Sequence, residues 1–297
     1  MHQKKFFHCV KSPECLMRFA SYCSVATALL LVVIKTVSFF ATNSLAILSS
    51  LFDSGLDLGA SLVSMLAIAQ ALAPADKEHR FGHGKAEALG GFIQGVIIFL
   101  SACFLIFETI EHIIQPPTLK KLDTGLIIMS ISIIVTLLLV SFQKFVIKRT
   151  HSLSISADFA HYTGDVMMNI GVIVSLLFSY LLHWTWIDTL FAVIVATYLF
   201  YNSFSVIRRV SKVLMDEEIS VSTRKKIKEI VSLNPAVLGI RDLRTRNAGM
   251  KSFIQFAILL DKNIDLTKAH ELCTLLEERV KQEIENCEVF IHAEPKE

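Results

Sequence analysis

With 297 residues, 53% of them apolar, and a mean hydropathy of +0.54, the chain is more hydrophobic than an ordinary soluble domain. The surplus apolar side chains belong in lipid. Its 29 Lys and Arg nearly balance its 27 Asp and Glu, which excludes nucleic-acid recognition through a strongly basic surface.

Lys4, Lys5, Lys11 and Arg18 precede an apolar run from Phe19 to Thr42. That run outlasts the core of a secretory signal and is expected to be a first membrane span. A span needs about 20 mostly apolar residues, and stretches near 17–42, 44–72, 85–114, 123–147, 153–183 and 187–210 qualify. The fourth contains the uncharged string IIMSISIIVTLLLVS, whereas the second and fifth carry acids in their middle. Gln94 and Asn169 are polar within spans and suited to hydrogen bonds between helices.

Lys and Arg near span ends set orientation. The N-terminal segment, the loop with Lys77, Arg80 and Lys85, the joint with Lys144, Lys148 and Arg149, and the segment with Arg208, Arg209 and Lys212 all fall on one side of a six-span chain. The opposite side has the Asn43-Ser44 turn, Lys120 and Lys121, and a fifth-to-sixth turn without Lys or Arg. Both termini are therefore expected in the cytoplasm.

Residues 1–212 thus read as a six-helix transmembrane domain, and 213–297 as a small soluble α+β domain. In the tail, STRKKIKEIVSL has helical spacing with Ser222 or Thr223 as N-cap. Strands follow at 236–246 and 252–260 around a turn at Asn247-Ala248-Gly249. A helix over 266–283 places Leu272, Leu275, Leu276 and Val280 on one stripe, and a strand at 288–292 completes the order α-β-β-α-β. Cys9, Cys15, Cys23, Cys103, Cys273 and Cys287 are scattered with no C-x-x-C pair and read as reduced thiols.

The chemistry lies in spans two and five. Asp53 and Asp57 stand at i and i+4 in DSGLD, as do His161 and Asp165 in HYTGD, so each pair shares a helical face. A carboxylate at mid-bilayer costs roughly 2.5 to 3.5 kcal/mol, and a divalent cation would offset that. Four N and O ligands suit tetrahedral Zn²⁺, with Fe²⁺, Co²⁺, Cd²⁺ and Mn²⁺ also accommodated. The alternative is a set of polar residues that bridge helices or line a water cavity. In the loop after span two, Asp76, His79 and His83 have ligand chemistry, but Gly82 argues against a regular helix, and spacing alone reads as a solvated loop. His112, His151 and His183 sit near span ends and read as interfacial.

DSGLD, HRFGHGKAE, HYTGDVMMN and RDLRTR together resemble a cation diffusion facilitator, most closely the bacterial ferrous-iron and zinc efflux pumps, over nearly the whole chain. The resemblance implies a homodimer, a ferredoxin-like cytoplasmic domain, and outward metal exchanged for inward protons. It implies that Asp53, Asp57, His161 and Asp165 are transport ligands, that Asp76, His79 and His83 form a second metal site, and that Lys85 and Asp216 form a charge interlock. Lys85 could instead snorkel to headgroups. In the tail, two histidines of the relatives' binuclear zinc site are replaced by Arg241 and Ala257. His270, His292 and Glu294 remain as metal candidates or as ordinary surface residues.

The cargo expected is Zn²⁺ or Fe²⁺, with no resident cofactor, no nucleic acid and no enzymatic activity; lipid and protons are the other partners. A metal on His161 excludes a proton there, which supplies coupling. No N-terminal targeting segment is seen, and with the similarity to bacterial members this points to a bacterial inner membrane. Two rivals remain: an intramembrane aspartyl dyad of Asp53 and Asp165, and a metal sensor anchored by its spans.

Overall fold

The computed structural model describes residues 12–42, 45–114, 123–182 and 186–296. Expectations resting on Lys4, Lys5, Cys9, Lys11, Asn43, Ser44, Lys120, Lys121 and His183 lie outside these residues. The chain divides into two compact units, Met1–Gly82 with Ala86–Ser211, and His83–Lys85 with Lys212–Glu297.

The first unit is helical: α1 Pro13–Thr42, α2 Leu45–Ala71, α3 Lys85–Ile114, α4 Asp123–Thr150, α5 Leu153–Leu182 and α6 Trp186–Leu214. Pro13 at the first helical position of α1 needs no N–H partner. Pro74 follows α2 closely, where a helix cannot continue through it. Between α4 and α5, His151 adopts φ 51°, and Ser152 Oγ accepts the Ile155 N–H at 3.2 Å. The buried Glu87 carboxylate of α3 accepts from Ser152 Oγ at 2.6 Å and Leu153 N at 2.7 Å. Side chains from two elements thus satisfy the first N–H groups of α5.

Among the described residues, five helices hold a stretch long and apolar enough to cross a membrane: Pro13–Ala41, Ser50–Ala71, Lys85–Glu111, Met129–Thr150 and Thr189–Leu214. α5 runs for 30 residues, about 45 Å of helix, with Asp158, His161 and Asp165 in its first half. The chain is a multi-pass membrane protein with a helical membrane unit.

Within that unit α1 packs along α2 and α4, α4 along α5, and α2 meets α5. Ile98, Ala102 and Leu105 of α3, Ala160 of α5, and Val195, Ala196 and Leu199 of α6 form one buried cluster. Gly164 matters there because Leu199 of α6 fills the place a Cβ would take.

In the second unit α7 (Val221–Ser232), β1 (Gly239–Ala248), β2 (Lys251–Leu260), α8 (Leu266–Glu283) and β3 (Cys287–Pro295) follow in the expected order. β2 is central, antiparallel to β1 and parallel to β3. Ile254, Phe256, Ile258 and Leu260 alternate along β2 onto a core shared with Ile227 and Val231 of α7 and Leu276 and Val280 of α8. Three expectations need correction. The α7 cap is Ser220, whose side chain accepts from Thr223 N, because the helix starts earlier than the polar run suggested. Leu275 is 41% exposed, since Ala269 and Cys273 complete the buried stripe in its place. Cys15 is disulfide-bonded, whereas Cys23, Cys103, Cys273 and Cys287 are free. Bridging depends on a Cα separation below about 7 Å, which sequence spacing does not report.

Candidate functional site

Two cross-helix hydrogen bonds fix the register of α2 against α5. Ser61 Oγ meets Tyr162 Oη at 2.7 Å, and Ser64 Oγ meets Ser154 Oγ at 2.8 Å, all four residues being buried. Asp57 lies one turn before Ser61, and His161 is next to Tyr162, so the same register brings Asp57 and His161 together.

His161 Nε2 lies 2.8 Å from Asp57 Oδ1 and 3.9 Å from Asp165 Oδ2. Each of the three residues offers one ligand atom within 4.8 Å of the others. His161 is buried and both carboxylates are half-buried. Among the described residues Asp165 Oδ2 is shielded from solvent and accepts no hydrogen bond, a buried carboxylate oxygen that a cation would satisfy. Carboxylate, imidazole and carboxylate are N and O donors for a divalent metal.

Asp53, the fourth expected ligand, is exposed and outside this set. It sits one turn earlier on α2, about 6 Å along the axis. An aspartyl dyad would pair Asp53 with Asp165, but Asp165 joins Asp57 and His161 instead.

Three charged residues of the helical unit escaped the spacing argument. Asp158, 2% exposed, accepts from Gln94 Nε2 of α3 at 3.3 Å and Gln143 Nε2 of α4 at 2.7 Å. Gln94 also donates to the Ala60 carbonyl of α2 at 2.7 Å and Gln143 to Ser24 Oγ of α1 at 3.0 Å. One carboxylate thereby joins four neighbouring helices to α5, and Gln94 makes the interhelical bonds expected of it. Glu87 caps α5 as described. Lys35 of α1 donates to the Ser50 carbonyl at 3.0 Å and to Ser54 Oγ at 2.6 Å. The available signal was a charge inside an apolar run.

Between α2 and α3, Asp76, His79 and His83 each bring a ligand atom within 4.8 Å of the others. A turn does this rather than a helix. Asp76 Oδ1 accepts the N–H groups of Glu78 at 2.9 Å and His79 at 2.6 Å, and Gly82 at φ 81° ends the turn.

In the tail, His270 and His292 are exposed and Glu294 half-buried. Among the described residues they form no such three-ligand group. The sheet register places Arg241, Ala257 and His292 in one row across β1, β2 and β3, and Arg241 pairs with Glu294 at 3.5 Å. A guanidinium thus faces the one acid among the three tail candidates.

In the second unit Lys85 Nζ meets Asp216 Oδ1 at 2.9 Å, and Arg246 lies 3.4 Å from Oδ2. Partial burial alone would push the Asp216 carboxyl up, but the Lys85 hydrogen bond and charge, joined by Arg246, hold it below the usual carboxylate range. His151 is exposed; the side chain of His112 lies outside those described.

The family model for the cation efflux transmembrane domain matches residues 21–215, and that for the cation efflux protein cytoplasmic domain matches 219–296. The cation-efflux pump FieF of Shewanella oneidensis is 40% identical over 279 residues, covering 94% of each chain. FieF of Pectobacterium atrosepticum is 36% identical over 283 residues, 94% of this chain and 93% of that one. A solved structure of CzrB matches at 27% identity and TM-score 0.26, covering 27% of this chain and 99% of its own.

Proposed function

The chain belongs to the cation efflux family, and on that premise we propose that it exports a divalent metal in exchange for protons through Asp57, His161, Asp165 and Asp53. Efflux of divalent cations is the activity of the family. The observation that carries the site assignment is the convergence of three ligand atoms from two helices at the buried His161.

The geometry supports coupling. At 2.8 Å, His161 Nε2 and Asp57 Oδ1 share a proton. Two ligands of one tetrahedral Zn²⁺ would stand about 3.3 Å apart, given bonds near 2.0 Å. A metal would therefore widen this pair, close the 3.9 Å gap to Asp165, and take the place of the shared proton. A closer approach of the acidic face of α2 to α5 on metal entry would bring in Asp53 as the fourth ligand. Exporting a divalent ion against an inside-negative potential costs about 4.6 kcal/mol per 100 mV, and each entering proton returns about 2.3.

In this reading the cargo is Zn²⁺ or Fe²⁺, with Cd²⁺, Co²⁺ and Mn²⁺ as further substrates. α5 is the sixth span, both termini are cytoplasmic, and the membrane is a bacterial inner membrane. The tail is a ferredoxin-like domain that joins two copies into a homodimer, and the protein is a secondary transporter rather than an enzyme. Asp76, His79 and His83 hold a second metal. Inside-out membrane vesicles test the reading: ATP-independent Zn²⁺ or Fe²⁺ uptake driven by an imposed pH gradient is expected, and its absence for every divalent metal would overturn it.

A further inference from the structure

Lys35 interrupts the apolar string LLLVVIKTVSFF of α1. A lysine there could snorkel toward headgroups. Its ammonium instead turns to α2, where it donates to the Ser50 carbonyl and to Ser54 Oγ. Ser54 is buried, adjacent in sequence to Asp53 and one turn before Asp57 on the same face. Two of the three ammonium donors are thereby fixed beside the acidic face of α2. From there the charge acts on Asp57 first, then on Asp53 and Asp165.

We propose that Lys35 is a fixed counter-cation of the transport site, which weakens divalent-ion binding enough to permit release. This rests on the transport reading above. The three carboxylates of Asp53, Asp57 and Asp165 carry a formal charge of −3; a divalent ion cancels two charges and Lys35 the third. Asp158 is engaged by the Gln94 and Gln143 amides, and the exposed Glu108 of α3 adds a weaker negative field at Asp53. Without Lys35 the loaded site would keep an excess negative charge, hold its ion more tightly and release it more slowly. Lys35 touches no ligand atom of the metal, so its role is to position charge.

The test uses the full-length protein in detergent, titrated calorimetrically with Zn²⁺ at fixed pH, and in proteoliposomes for flux. Asp57→Ala identifies the heat that belongs to this site. Lys35→Gln keeps an amide donor for Ser50 and Ser54 while removing the charge, Lys35→Met gives a second neutral variant suited to the apolar run, and Lys35→Arg keeps the charge. The neutral variants are expected to bind Zn²⁺ on the order of tenfold more tightly, with KM and kcat both lowered, while Lys35→Arg stays within about twofold of wild type. A role confined to joining α1 to α2 would not lower Kd. Unchanged or weaker binding in a folded neutral variant overturns the proposal. Absent Zn²⁺ binding in wild type, or full binding in Asp57→Ala, would instead overturn the transport reading itself.

Discussion

His161 Nε2 and Asp57 Oδ1 stand 2.8 Å apart inside the helical unit, one from α5 and one from α2. Because a metal must replace the proton between them, acidification should weaken metal binding, by about tenfold per pH unit for each proton displaced. Titrations of Zn²⁺ at several pH values, in buffers of different ionisation enthalpy, measure both the slope and the protons released. A pH-independent Kd would separate the metal from this pair.

Glu87 reaches from α3 to the start of α5, accepting from Ser152 Oγ and Leu153 N. Glu87→Ala should destabilise the protein by about 1 to 3 kcal/mol, since buried donors lose their acceptor. Thermal unfolding in detergent would show a lowered midpoint, with Glu87→Gln intermediate because its amide oxygen still accepts.

Asp216, held below the usual carboxylate range by Lys85 and Arg246 despite partial burial, should confer acid-sensitive stability. A depressed carboxyl contributes fully above its unfolded value, about 3.9, and the contribution is lost as pH falls through the lower folded value. Melting temperatures of the full-length protein should therefore fall more steeply with acid below about pH 4 in wild type than in Asp216→Asn. Parallel slopes would remove the linkage.

Arg241 pairs with Glu294 where the resemblance places metal ligands. His270→Ala and His292→Ala should accordingly leave the transport KM within about twofold of wild type, in the range of surface substitutions. A large KM increase in either variant would restore a metal role to the tail.

Much of this architecture was legible because lipid imposes long apolar runs, and the helices α1 to α6 lie where those runs do. Asp57, His161 and Asp165 were legible because two i, i+4 pairs of acids and imidazole stand out against such runs. Lys35 and Asp158 were equally visible as charges, but their meaning lies in Ser54, Gln94 and Gln143, which other helices supply. Spacing along one helix carries no record of such partners. Asp76, His79 and His83 meet through a turn closed by Gly82 rather than on a helix face, so spacing alone read as a solvated loop and only the family resemblance grouped them. The outward Leu275 depends on tertiary neighbours in the same way.

The most direct test of the central claim is metal flux into proteoliposomes containing an internal pH dye, comparing wild type with Asp57→Ala and His161→Ala. Zn²⁺ or Fe²⁺ transport accompanied by opposite proton movement, both lost in the two variants, is the predicted result. Metal flux without proton movement at any pH gradient, or transport that survives both substitutions, would contradict it.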